Sequence, residues 1–321
     1  MEKKPVRILR ELNPALPRLS DPARALPDDT QRLVRQSSVL RSATEVLRQL
    51  RVRGANPDRL NFPDCSTLLS IDSEVTAKGE SLVGVGKERR SRTWLVTARM
   101  GRGESLKLAL NEACLIPVAS VAVPVEAAGG KSYRPVGVFS PTDGTPHGAL
   151  FAWLPLPTRS GLPVHVNASF AVTSNRRALC EENEDDKFDT QPRWNVALMA
   201  DAVCSAYVRL VADVAAFLAP PRDYEFASLW PDAERVAGVC APLVKAFYDE
   251  VSGRAGPAVF SDGQRWVSVD NVVFLDCAAY ESAELVRAAL EVCRQSVVAG
   301  SSKVGVSNQH ILLKISFPLE T

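Results

Sequence analysis

The stretch Gly148–Arg177, GALFAWLPLPTRSGLPVHVNASFAVTSNRR, decides how the chain is read. Its two apolar runs, Leu150–Leu154 and Pro163–Val172, have the length and composition of strands. Between them, Pro155, Pro157 and the Arg159-Ser160-Gly161 triplet carry turn chemistry. The stretch closes on two adjacent cations, Arg176 and Arg177. It lies near the middle of a chain of 321 residues, where strand-like sequence gives way to helix-like sequence.

Working towards the N-terminus, short apolar runs alternate with turn residues. Strands are expected at Arg92–Ala98, Val118–Val125, Arg134–Phe139 and Ala149–Leu154, besides Pro163–Val172, with a short helix at Glu104–Ala113 opened by Gly103. Most connections are of turn length, as antiparallel neighbours require. Residues 1–61 differ in kind: they hold no aromatic residue and carry thirteen Lys and Arg against seven Asp and Glu. Pro14, Pro17, Pro22 and Pro27 keep the first thirty residues irregular. A helix then starts near Asp29 or Thr30, with Leu33, Val39, Leu40, Val46, Leu47 and Leu50 on one face and Gly54 behind it. It reads either as a packed helix with a solvated basic face or as a basic amphipathic helix for a partner or membrane surface. Pro14-x-x-Pro17 also matches a polyproline ligand pattern, one that is common by chance.

Towards the C-terminus, the acidic run Glu181–Asp189 lacks the glycine and terminal glutamate of a calcium loop and reads as a solvated boundary. Trp194–Leu218 is apolar on nearly every face and predicts a central buried helix stopped by Pro220-Pro221. A second helix is expected over Asp232–Ser252, with Pro231 at its first position. Val259–Leu275 reads as a hairpin turning at Asp262-Gly263, Glu281–Ala299 as an amphipathic helix, and Ile311–Phe317 as a closing strand. The fold class is therefore α+β: a mixed, mostly antiparallel sheet with a flanking helix, followed by a helix-rich α+β domain with a hairpin. Three segments are expected, at 1–61, 62–189 and 190–321.

A net charge of +1 gives no global argument for nucleic acid or a membrane. The longest apolar runs are interrupted by Asp, Arg or Tyr, so no transmembrane segment is expected, and no signal core opens the chain. Seven cysteines without a C-x-x-C pair suit reduced thiols in the cytosol. No cofactor or metal is expected. Gly84-x-Gly86-Lys87 lacks the spacing of a phosphate loop and is followed by Glu88. Gly101-x-Gly103 before a helix could present backbone amides to an anion, without the third glycine of a dinucleotide site. For nucleophilic catalysis, a Cys or Ser with His147 or His165 and Asp143 can be nominated, but no local signature supports it. His165, alternating with apolar neighbours on a strand, reads better as a hydrogen-bonded structural residue. Arg176 and Arg177 suit a phosphate or an acidic partner, or ion pairs with the acidic run that follows.

The segment from Leu154 to Asn167 (LPLPTRSGLPVHVN), then Phe170-Ala171-Val172 and Ser174–Arg177, resembles the signature of the sacsin repeat family. Arg193-Trp194-Asn195 is similar to that family's "WN" segment, and Val259–Asp276 to a later block, through Val259, Phe260, Gly263, Trp266, Val267 and Val273–Asp276. Ala168 stands where the family usually has glycine. The family's heat-shock-90-like ATP-binding motifs are not found: Glu11-Leu12-Asn13 is bounded by proline, and Asp143-Gly144 has the wrong glycine spacing. The resemblance implies the region that follows the ATP-binding domain, acting as a cytoplasmic, intracellular chaperone or quality-control module without its own ATPase site. Its partners would be client or chaperone-machinery proteins and an ATPase domain in trans, with nucleic acid disfavoured. Arg176, Arg177, His165 and Asn167 are the candidate binding residues. The alternative is a hydrolase or transferase with a site near His147, His165 and Asn167.

Overall fold

The computed structural model describes residues 7–9, 28–52, 56–76, 87–112, 115–127, 133–181, 189–218, 224–261, 265–276 and 296–300. The proline pattern at 14–17, the turns at 84–86 and 262–264, residues 182–188 of the acidic run, Pro220-Pro221 and Ile311–Phe317 lie outside them.

The dominant element is a mixed, mostly antiparallel sheet, as the alternating runs predict. It contains β1 (Arg7–Leu9), β2 (Asp64–Thr76), β3 (Lys87–Met100), β4 (Val118–Ala127), β5 (Tyr133–Pro135), β6 (Ala149–Ala152), β7 (Leu154–Arg159) and β8 (His165–Ala168). The spatial order is β1-β2-β3-β4-β8-β6-β7, with β5 also paired to β4. Among the described residues, β6 and β8 are its one parallel pair.

Helices cover one face. α1 (Asp28–Leu50) buries Val39, Ala43, Val46 and Leu47, so the described part of its apolar stripe packs as a core face. α2 (Glu104–Asn111) follows Gly103 as expected. α3 (Thr190–Leu198) and α4 (Cys204–Phe217) are one continuous helix of 28 residues joined by a π-helical turn at Met199–Val203. By length and composition it could cross a membrane, but 67% of its most apolar window is buried inside this fold. It is the central packed helix that its apolar faces predict. Tyr207 is fully buried and donates its hydroxyl to the Leu229 carbonyl at 2.6 Å. Its ring packs on Phe247, which sits in an aromatic group with Trp230, Tyr248, Phe260 and, through Phe226, Trp266.

Several sequence expectations need correction. The helix expected from Asp232 starts at Ala241, as α5 (Ala241–Val251), with Pro242 rather than Pro231 in its first turn. The hairpin shrinks to β9 (Phe260–Ser261) and β10 (Trp266–Val267). β11 (Val272–Asp276) instead pairs parallel with β12 (Ser296–Gly300), so Ser296–Ala299 is strand, not the end of a helix. One hydrophobic core joins residues from Ala43 to Val267.

Candidate functional site

The signature stretch folds into the far edge of the sheet, and β7 is its terminal strand. β7 contains Pro155 and Pro157, which lack the N–H a central strand needs, so an edge is where such a strand can exist. The chain reverses between β6 and β7 at Trp153 alone, since Ala152 pairs with Leu154. Trp153 takes a positive φ of 65°, a conformation that costs a non-glycine residue about 1–3 kcal/mol. Asn167, on neighbouring β8, holds it there: Trp153 N–H donates to Asn167 Oδ1 at 3.1 Å. The result is an exposed apolar corner, with Trp153 59% and Leu154 61% accessible.

His165 lies two residues before Asn167 on the same face of β8 and makes a matching contact. Ala149 N–H donates to His165 Nδ1 at 2.9 Å, and the ring packs between Trp94 and Phe151. Burial, with Arg159 and His147 nearby, pushes its pKa below the ordinary value. A neutral imidazole that accepts at Nδ1 carries its proton at Nε2. Neither nitrogen then has a free lone pair, so this histidine is poorly placed as a general base. Asp143 is occupied in its own turn, where the backbone and hydroxyl of Thr145, then Ser140, hold its pKa at about 2.

Arg176 and Arg177 sit in the turn after β8. Arg176 N–H donates to Thr173 O at 2.7 Å and Arg177 N–H to Asn175 Oδ1 at 3.0 Å. Arg176 also has a positive φ, 54°. Thr158 Oγ1 donates to Arg177 O at 3.3 Å, which fastens the turn to β7. Both side chains are exposed, and neither guanidinium forms an ion pair with a described residue.

Behind this edge, Trp194 and Asn195 pin the segment that follows β8. Trp194 Nε1–H donates to Ser169 O at 2.8 Å. Fully buried Asn195 takes Ala171 N–H at 2.8 Å and donates to Ala171 O and Cys180 O at 2.8 and 3.0 Å. The run expected as strand to Val172 therefore ends at Ala168, because side chains of α3 take over its hydrogen bonding.

Two acidic residues that the sequence reading passed over have structural positions. Asp201, carried on the π-helical turn, accepts from the backbone N–H of Arg102, Gly103 and Ser105 at 3.0, 2.8 and 3.2 Å, and from Ser105 Oγ at 2.5 Å. It is the anion to which Gly101-x-Gly103 presents its amides. Beside it lies an open cleft of about 470 Å³ lined by Arg99, Arg102, Glu104, Asp201, Ser205 and Glu250. Asp213, on α4, is buried; it accepts from Ser66 Oγ at 2.5 Å and Arg209 Nε at 2.9 Å. Among the described residues, no group of His, Cys, Asp and Glu is placed to hold a metal. Cys180, Cys204 and Cys240 are free thiols, and burial pushes the Cys240 thiol up to about 12.

The class defined here is an α+β scaffold whose signature residues fix backbone and present an edge. A region of this chain is related to Sacsin of Homo sapiens: 210 residues are 32% identical, covering 62% of this chain and 4% of that protein. No family model and no solved structure matches the chain.

Proposed function

We propose that this chain is a sacsin-like, non-enzymatic chaperone or quality-control module that binds a client or partner protein in the cytoplasm. It corresponds, in this reading, to the repeat region that follows a heat-shock-90-like ATP-binding domain, and it carries no ATPase site itself. The observation that carries the reading is the Trp153–Leu154 corner, a strained backbone held by Asn167 that keeps a tryptophan in solvent. Backbone strain concentrates at functional positions, and tryptophan is over-represented among residues that dominate protein interfaces. The similarity to Sacsin supports the same direction. His165 Nδ1 and Asn167 Oδ1 each accept from a backbone amide, and in this reading both are positioning residues for the exposed edge.

The test is suppression of aggregation. A heat-denatured test protein is followed by light scattering with increasing amounts of the chain. Suppression that is lost in Trp153→Ser supports client binding, and an absence of suppression by the wild-type chain at tenfold excess sinks it. Isothermal titration with ATP checks the second element: saturable heat would mean that the chain has its own nucleotide site.

The conformation of Arg176 favours one addition. An exposed arginine in a left-handed turn suits a cation offered to a phosphate or carboxylate outside the chain. In an ATPase domain supplied in trans, Arg176→Ala would lower the stimulated rate while leaving the thermal midpoint unchanged.

A further inference from the structure

The edge strand has two chemically different ends. At one end stand Trp153 and Leu154, exposed and apolar. At the other stand Arg159, in β7 itself, and Arg176 and Arg177, whose turn is tied to Thr158. All three arginines are exposed, and none forms an ion pair with a described residue. Four strand residues lie between Leu154 and Arg159, and the five steps span about 17 Å at roughly 3.3 Å per residue.

Between them, Leu156 points into the core while Pro155 and Pro157 are exposed on alternate positions. An edge without those two N–H donors is a poor template for an added strand. A partner therefore meets side chains rather than a continuous backbone ladder.

We propose that this strip, Trp153 to Arg159 flanked by Arg176 and Arg177, binds an extended acidic peptide segment that also bears an apolar side chain. The proposal rests on the protein-binding reading above and adds the chemistry of the partner. The apolar side chain covers the indole and Leu154, and carboxylates meet the guanidinium forks, which match them in paired hydrogen bonds. About six extended residues span the distance. Charge complementarity selects an acidic occupant over a basic one, because three like charges in one place repel further cations.

The experiment uses the full chain and three fluorescein-labelled, amidated peptides of twelve residues, read by anisotropy. One alternates Asp or Glu with Phe or Leu; one replaces its acids with Lys; one replaces its apolar residues with Ser. The alternating acidic peptide is expected to bind at least tenfold more tightly than either of the others. Trp153→Ser and the double change Arg176→Glu, Arg177→Glu should each weaken it at least tenfold, with thermal midpoints retained. Raising salt from 50 to 300 mM should weaken the wild-type chain and leave the double variant nearly unchanged.

Equal binding of the acidic and lysine peptides, no binding of any peptide, or indifference to both variants overturns the proposal. So does tighter binding of a single-stranded oligonucleotide of the same length, which would make the strip a polyanion site. Replacing Glu182, Glu184, Asp185 and Asp186 by their amides gives a further outcome: at least tenfold tighter peptide binding would identify the chain's own acidic run as occupant and overturn the partner. Aggregation suppression that survives while peptide selectivity fails separates this proposal from the function on which it rests.

Discussion

The side-chain amide of Asn195 pairs with the backbone of Ala171 in both directions, accepting its N–H and donating to its carbonyl, each at 2.8 Å. Asn195 thus does for Ala171 what a neighbouring strand would do, and its second donor satisfies Cys180 O. This is why the chain can leave the sheet at Ala168 without stranding backbone groups in a buried place. Asn195→Ala leaves Ala171 N–H and Cys180 O without these partners, while Ala171 O keeps the Cys180 N–H at 3.0 Å. At about 1–3 kcal/mol for each buried group left unsatisfied, the expected loss is roughly 3 kcal/mol after relaxation and water entry. Urea denaturation checks it. Asn195→Asp keeps the acceptor but loses both donors, and should be no better than alanine.

Asp201 replaces the missing cap of α2. Gly103 has no side chain to offer the first turn, and the carboxylate accepts from the amides of Arg102 and Gly103 just before the helix and of Ser105 inside it. A negative charge there also meets the positive end of the helix dipole. Asp201→Ala should cost about 1–2 kcal/mol, in the range of a lost N-cap. Hydrogen exchange should quicken at Arg102, Gly103 and Ser105 more than at the C-terminal end of α2. Equal acceleration along the helix would mean that the carboxylate is not its anchor.

Stability should fall on mild acidification because of His165. Burial lowers its folded pKa below the ordinary 6.5, so below pH 6.5 the unfolded chain takes up a proton that the folded chain refuses. By linkage, stability is full above that value and declines as pH falls towards the lowered folded pKa, with a slope under about 1.4 kcal/mol per pH unit for one group. Buried Asp213 acts in the opposite sense: burial raises its folded pKa above 3.8, so protonation near and below the raised value favours the fold. His165→Asn, which keeps an acceptor for Ala149, should flatten the decline between pH 7 and 5. An unchanged slope would place the titrating group elsewhere.

Long apolar runs and the turn residues that bound them carried the main elements. The helix from Trp194 to Phe217 was legible because it is apolar on nearly every face over a long run, α2 because Gly103 opens it, and β3 and β4 as short apolar runs between turn residues. β2 was not, although it pairs with β3 over thirteen residues. Its sequence DCSTLLSIDSEVT interrupts Leu68, Leu69, Ile71 and Val75 with serine, threonine and acids without a regular alternation, and pairing makes a strand of it. β7 was hidden by Pro155 and Pro157, which signal a turn locally yet are tolerated on an edge. At the candidate site, the hydrogen-bonded role of His165 was legible from its alternation with buried neighbours. Trp153 was not, because its exposure depends on a one-residue reversal that alternation along Ala149–Leu154 does not announce. Asp201 and Asp213 look like stray acids in an apolar helix until the strands and turns opposite supply their donors.

Two glycines with the same sign of φ should respond differently to alanine. Gly144 has φ 67°, and a Cβ there would meet nothing within 4 Å. Gly144→Ala therefore meets only the backbone preference, about 1 kcal/mol. Gly161 has φ 70°, but its Cβ would collide with the carbonyl oxygen of Arg235, a backbone atom that cannot rotate aside. The adjoining turn cannot yield easily either, since Ser160 N–H and Oγ both bond Gly148 O while Gly148 N–H bonds Leu162 O. Gly161→Ala should add a packing penalty to the same conformational cost, for a total of about 3 kcal/mol. Thermal melts of the two variants side by side test this. Equal losses would show that the contact between Gly161 and Arg235 does not constrain the signature turn.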